Sequence, residues 1–411
     1  MNSSPHLPDL LLPSGFQFAA VKAGLKASGK ADFALAVADQ PATAAAMFTA
    51  NRVVAAPVLV GREHLQLSAG HVKAVLVNAG NANCATGKAG IDVCRDVCAE
   101  AAAAFGCEPA QVFPSSTGII GVLLPGEKLI SALPEAKAAL GRTSDHFDQF
   151  AQAILTTDTR RKVSARSFTA PDGKQVRIVA CCKGAGMIYP QLQPHATMLA
   201  YIFTDAAVAP ASLQKFLQRA VEISFNRISI DGDTSTNDTV LLLASAESGA
   251  TVDASDETSN GQFQEALHAV CIDLAKQIVS DGEGATHLVE LKISGAPTDA
   301  DALQVAKTIA HSPLVKTAWA GNDPNWGRIL AAIGRSGAAI DPARVRIDFG
   351  GREICRDGGL SPEFSEQAAH EYLSQPEFQI GIDLGLGAGA CRFWTCDLTK
   401  EYVAINADYS T

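Results

Sequence analysis

The apolar run Met198-Leu199-Ala200-Tyr201-Ile202-Phe203, closed by Thr204-Asp205, is the strongest constraint on the fold. A run this short and this apolar reads as a buried strand, here one that begins with Thr197. Upstream, Gln175 to Cys182 reads as another strand, and Lys183-Gly184-Ala185-Gly186 follows it. Two glycines around one small residue permit backbone angles that larger side chains resist, so these four residues predict a tight turn that carries a lysine. Ala74 to Val77 is a further buried strand, and the alternation in Phe16 to Val21 and Phe33 to Ala38 predicts short paired strands. Between them, Ile91–Phe105, Pro210–Phe225, Phe263–Val279 and Asp299–Ser312 show the spacing of amphipathic helices.

A chain of 411 residues suffices for two or three domains, or two large lobes, around a sizeable core. Its formal net charge of −10, with no long basic run, argues against nucleic acid as a partner. Met1 to Pro13 is polar and Pro-rich, unlike a signal peptide, and no stretch approaches the roughly 18 apolar residues of a membrane span. A cytoplasmic location is the simplest expectation. The 10 cysteines show no paired C-x-x-C spacing, so they are read as small buried hydrophobes with free thiols, and no metal is assigned.

Several polar segments follow predicted strands or helices. Asn78-Ala79-Gly80-Asn81-Ala82-Asn83 reads as Asx-turn chemistry or as a polar wall around a ligand. In Ser115-Ser116-Thr117-Gly118, a hydroxyl beside a glycine can present O–H and N–H donors to one point, as an oxyanion hole requires. Ile228 to Thr239 holds three aspartates without the glutamate that closes a calcium loop, and is read as a hydrogen-bonded structural loop. Gly282-Glu283-Gly284 leaves one carboxylate on a flexible turn, either solvated or facing a substrate amine. Asn322 or Asp323 is expected to cap a helix beginning near Trp326. The tail from Glu401 to Thr411 stays strand-like almost to its end, as if docked.

Thr197 itself raises a chemical question. Threonine is a poor nucleophile without an adjacent base, and the most compact arrangement places it at a chain N-terminus, where its own α-amine serves. That amine has a pKa of about 7.7 to 8.0, near working pH. An internal threonine gains it only by peptide cleavage, and taken alone a Gly-rich turn before a strand is ordinary structure.

Taken together, Asn78–Gly87, Ser116–Pro125, Thr156–Lys162, Lys183–Leu199, Ser229–Asp238, Asp281–Thr286, Gly321–Ala332 and Trp394–Thr411 resemble the ornithine acetyltransferase family of arginine biosynthesis. The resemblance implies an α/β fold of mixed sheets layered between helices, of the self-processing N-terminal-nucleophile type. It implies cleavage between Ala196 and Thr197, giving an α segment 1–196 and a β segment 197–411 that associate as two copies of each. Thr197 would be the nucleophile, Thr117 and Gly118 the oxyanion donors, and Thr157, Lys183, Thr197, Glu283, Asn406 and Thr411 the substrate-binding residues. The implied reaction is ping-pong: acetyl passes from N-acetylornithine to Thr197 and then to glutamate. No cofactor is implied, and acetyl-CoA as an additional donor is left open. Two departures stand out. Six residues lie between Pro190 and Thr197, so Gln191–His195 looks like an insertion beside the junction, and Arg161 stands where proline is common. The competing readings are a related self-processing aminopeptidase or amidase and an uncleaved, non-catalytic paralogue.

Overall fold

A computed structural model describes residues 10–191, 198–254 and 257–408. Ala196, Thr197, Thr411 and most of the Gln191–His195 insertion therefore lie outside the described residues. In chain order the strands are β1 (Phe16–Val21), β2 (Phe33–Phe48), β3 (His71–Asn81), β4 (Val112–Ile119), β5 (Lys162–Thr169), β6 (Gln175–Lys183) and β7 (Leu199–Thr204). The short β8 (Ala207–Val208) and β9 (Ile228–Ser229) follow, and β10 (Thr239–Ala244) returns beside β7. Among the described residues these build a mixed sheet in the order β4-β3-β2-β10-β7-β6-β5, with β1 paired to β2. Segment 1–191 supplies β2 and β6, and segment 198–411 lays β10 and β7 between them.

The apolar run is continuous because the sheet is covered on both faces. Leu199, Tyr201 and Phe203 of β7 enter one core with Phe18, Phe147 and Phe150. Ala200 and Ile202 enter another with Leu213, Phe216 and Leu274. In the first core Phe18 meets Phe147 and Phe203 edge-on at 5.1 and 5.0 Å, contacts worth about 0.5–1.5 kcal/mol each beyond the area they bury.

The helices that cover the sheet are α1 (Ala56–Leu67), α2 (Gly87–Phe105), α3 (Gly126–Ala138), α4 (Ser144–Ala153), α5 (Pro210–Glu222) and α6 (Glu257–Ser280). Cys94 and Cys98 lie on the buried face of α2, and every cysteine of the chain is a free thiol, all but Cys107 buried. A pair of β8 with β11 (Thr251–Val252) is separate. A second sheet, in the order β15-β14-β13-β16-β12-β17-β9 among the described residues, uses β12 (Leu288–Ala296), β13 (Arg346–Phe349), β14 (Arg352–Arg356), β15 (Gly359–Leu360), β16 (Glu377–Asp383) and β17 (Gly389–Cys396). The helices α7 (Asp299–Ala310), α8 (Pro313–Ala320), α9 (Trp326–Gly334) and α10 (Glu366–Leu373) pack on it through Val305, Trp319, Ile333 and Leu373. Helix α6 packs on β5 and β6 and also reaches β17 and β12, so it joins the two sheets.

The architecture is the expected α/β arrangement of mixed sheets between helices. Two local expectations are corrected. The cap of α9 is Asn325, whose side-chain oxygen accepts the Arg328 N–H at 3.2 Å, because Asn322 lies a turn too early, at φ 53°. The tail forms a helix, α11 (Lys400–Asp408), not a strand. Its β-branched and aromatic residues suggest a strand, but among the described residues no strand pairs with them. Instead the Thr399 hydroxyl donates to the Gly284 carbonyl at 2.6 Å and accepts the Glu401 N–H at 3.2 Å, which starts the helix on the Gly-Glu-Gly turn.

Candidate active site

Strand and helix ends converge on a cavity of about 180 Å³. Thr117, Gly118, Thr157, Lys183, Glu283 and Asn406 all line it, together with Met198, the residue after Thr197.

One side is built by β3 and β4, which pair in parallel until their register breaks at Gly80 and Gly118. Gly118 has φ 133°, and a Cβ there would lie 2.3 Å from the Gly80 carbonyl carbon, so only glycine fits. The asparagine loop packs against this crossing. Asn78 donates to the Asn81 carbonyl at 2.8 Å and accepts the Ser116 hydroxyl at 2.6 Å. Asn81 accepts the Asn83 N–H at 2.7 Å, and Asn83 donates to the Gly90 carbonyl at 2.9 Å. Asn237, against the same wall, donates to the carbonyls of Ala82 and Ser116 at 2.6 and 2.9 Å. Of the two readings of the asparagine loop, the Asx-turn reading describes it: these side chains satisfy buried backbone and so fix the strand that carries Thr117.

The opposite side is held by charge. Asp158, Lys162 and Asp281 are buried, and the Lys162 ammonium lies 2.6 Å from Asp158 Oδ1 and 2.5 Å from Asp281 Oδ2. Asp158 also accepts the Gly184 N–H at 2.6 Å, which ties the Lys183 turn to the network. Burial pushes the Asp158 carboxyl up, but Lys183, Lys162 and the hydrogen bonds outweigh it and hold the group well below the usual carboxylate range. Burial likewise pulls the Lys162 ammonium down, and Asp158 with Asp281 more than reverses that, raising it above its ordinary value. Lys183 is half-buried, and its ammonium lies 3.3 Å from the Thr117 hydroxyl. Burial lowers its pKa, with Asp158 opposing and Lys162 reinforcing the shift.

The remaining wall joins three loops. Asp231 accepts the N–H groups of Met187 at 2.6 Å and Ile188 at 2.9 Å, which stabilises Met187 in a left-handed conformation at φ 54°. The carboxylate of Glu283 lies against Gly186, where a Cβ would come within 2.4 Å of it. Asn406, on α11, donates to Glu283 Oε2 at 2.8 Å. Thus the tail helix carries a side chain into the site.

Sequence reasoning missed two contributors. Ser235, Thr236, Asn237 and Asp238 line the cavity, whereas their loop reads only as structural; the loop does both. The Asp158–Lys162–Asp281 network carried only a faint signal, an aspartate four residues before a lysine that opens a strand. Chemically, the described lining offers an ammonium, the carboxylates Glu283 and Asp238, and hydroxyl and backbone donors at Thr117 and Gly118. Among the described residues no group of three or more histidine, cysteine or acidic side chains is placed to hold a metal. No described helix is long and apolar enough to cross a membrane.

Comparison with known proteins gives consistent matches. The profile of the ArgJ family matches residues 17–411. The arginine biosynthesis bifunctional protein ArgJ of Ruegeria pomeroyi is 44% identical over 402 residues, covering 98% of this chain and 96% of that relative. Its counterpart in Syntrophotalea carbinolica is 46% identical over 399 residues, covering 97% and 99%. A crystal structure of ornithine acetyltransferase complexed with ornithine, from Mycobacterium tuberculosis, matches at 36% identity and a TM-score of 0.40, over 44% of this chain and 93% of that one.

Proposed function

The chain belongs to the ArgJ family, and from that premise we propose that it moves an acetyl group from N2-acetyl-L-ornithine to L-glutamate through an acetyl-threonine intermediate. It is an acyltransferase of arginine biosynthesis acting on small molecules. The observation that carries the finer reading is the position of Met198. It lines the same cavity as Thr117, Gly118, Lys183 and Glu283, and its carbonyl accepts the Thr239 N–H at 2.7 Å, so the residue that follows Thr197 in sequence is fixed inside the site.

In this proposal the chain cleaves itself between Ala196 and Thr197, and the freed α-amine of Thr197 is the base. It takes the hydroxyl proton as Thr197 Oγ attacks the amide carbonyl. The negative charge that develops on the carbonyl oxygen is met by the Thr117 hydroxyl and the Gly118 N–H, with the Lys183 ammonium beside them. Collapse breaks the C–N bond, the proton passes to the leaving amine, and ornithine departs from an acetyl ester on Thr197. The amine of glutamate then attacks that ester, the α-amine again moves the proton, and N-acetylglutamate leaves. Lys183 suits the carboxylate shared by both amino acids. Glu283, held by Asn406, suits an ammonium, and Thr157 and Thr411 complete the binding set. No cofactor takes part, and acetyl-CoA is a second donor where the enzyme acts as an N-acetylglutamate synthase. The mature enzyme holds two copies of each segment and works in the cytoplasm.

Intact mass and N-terminal sequencing test the reading together. Wild type gives a fragment beginning at Thr197; Thr197→Ala gives one unsplit chain without acetyl transfer. Transfer retained in that variant would overturn the nucleophile assignment, and hydrolysis of simple amides without transfer to glutamate would favour the aminopeptidase reading.

A further inference from the structure

The segment from β9 to the start of β10, residues 228–239, bonds to the chain on both sides of the proposed junction. Upstream, Asp231 accepts the N–H groups of Met187 and Ile188, the Ile188 carbonyl accepts the Ile230 N–H at 2.7 Å, and Ile188 forms an isolated bridge with Thr234. The Thr234 hydroxyl donates to the Tyr189 carbonyl at 3.0 Å. Downstream, the Thr239 N–H donates to the Met198 carbonyl at 2.7 Å. The eight residues from Pro190 to Thr197 thus run between two points that are bonded to one short stretch of backbone.

That stretch is itself held from several directions. Thr49 donates its hydroxyl to the Ser235 carbonyl at 2.5 Å and its N–H to the Asp238 carbonyl at 3.1 Å, and Asn51 donates to the Thr234 carbonyl at 2.9 Å. The Ser229 hydroxyl bonds to His311 Nε2 at 2.9 Å, and the His311 ring also meets the Tyr189 ring edge-on at 4.3 Å. Asn237 ties the stretch to the Ser116 carbonyl, one residue before Thr117, so one rigid loop sets the spacing between the anchors and the proposed oxyanion donors. Asp231 is its upstream anchor. Successive N–H groups converge on one anion where a left-handed residue bends the backbone, here Met187 at φ 54°, a region that glycine enters freely and methionine does not. Such charge-assisted bonds are about twice as strong as neutral ones.

We propose that Asp231 is a positioning residue for self-cleavage: by holding Met187 in the left-handed bend it fixes the chain upstream of the junction for attack on the Ala196–Thr197 peptide bond. The inference rests on the cleavage reading and adds to it a residue that acts through the backbone of Met187 and Ile188. In the step it serves, Thr197 Oγ bonds to the Ala196 carbonyl carbon, and the C–N bond breaks as the hydroxyl proton passes to the nitrogen. Water then hydrolyses the ester to the Ala196 carboxyl and the Thr197 hydroxyl. An attack by a neighbouring hydroxyl gains its rate from placement, because fixing the reacting groups in advance removes an entropic cost from the barrier.

Cell-free translation of the full chain, sampled over time by intact mass, reads the rate of splitting. Asp231→Ala slows it about tenfold or more, Asp231→Asn less, since an amide oxygen still accepts one N–H, and Thr234→Val about threefold. Met187→Gly added to Asp231→Asn recovers most of the lost rate, because glycine keeps the bend without the carboxylate. With Thr197→Ala added to keep every chain unsplit, the variants melt close to the Thr197→Ala chain, which separates slow chemistry from poor folding. Should Asp231→Ala not fold, Asp231→Asn and Thr234→Val decide. The proposal is overturned if folded variants split at the wild-type rate, or if Met187→Gly brings no recovery. A wild-type chain that never yields a fragment beginning at Thr197 overturns the cleavage reading itself, whereas splitting that Asp231 does not influence overturns this inference alone.

Discussion

Thr117 and Gly118 are held from behind by neutral amides, whereas Lys183 and Gly184, across the same cavity, are held by buried charges. Each neutral bond contributes about 1 kcal/mol net, and losing one leaves a local deficit. The charged side behaves as a unit: Asp158 and Asp281 are balanced by Lys162 and Lys183, and removing one cation strands a carboxylate in low dielectric. The cavity thus has one wall that degrades by steps and another that fails together.

The largest expected effect tests that contrast directly. Lys162→Met should cost about 3–5 kcal/mol in denaturant unfolding, because two buried carboxylates lose their shared partner. A loss below about 1 kcal/mol would show that the charges are not coupled as a unit. Gly118→Ala probes the stiffness of the neutral side, since its Cβ would lie 2.3 Å from Gly80. Acetyl transfer should fall about 100-fold or more, through displaced oxyanion donors, and near-normal turnover would remove Gly118 from the proposed chemistry. Asn237→Leu should cost about 1–3 kcal/mol, as the carbonyls of Ala82 and Ser116 lose their donor. The smallest effect is a dependence on pH. The folded-state pKa of Asp158 is depressed, so the stability it contributes is complete above the unfolded value, near 3.8, and is lost as pH falls below it. The deficit of Asp158→Asn relative to wild type should therefore stay constant from neutral pH to about 4 and shrink below that, while the deficit of Asn237→Leu does not change with pH.

Features that depend on local sequence were legible. The run Met198–Phe203 announces a strand because both faces of β7 are buried, and the Gly-Ala-Gly turn announces itself because Gly184 sits at φ 152°. Thr117, Gly118, Lys183 and Glu283 were each reached from the residue type and its turn. What could not be read was pairing at a distance. Asp281 meets Lys162 from 119 residues away, and nothing in either neighbourhood signals the other. The tail helix illustrates the same limit in backbone form. Tyr402, Val403 and Ile405 favour a strand by propensity, and only the docking of Thr399 on Gly284 sets the helix instead.

The strand order β2-β10-β7-β6 has a kinetic consequence for any break within residues 192–197. The two pieces would be interleaved, each supplying strands that flank or fill the other's portion of one sheet. Neither could depart without opening the β2–β10 and β7–β6 ladders together, so their separation would be as slow as unfolding itself. Once apart, they would have to find each other again, and refolding would become a concentration-dependent encounter between two molecules. Such a cut would turn a chain that can refold by itself into an assembly made essentially once.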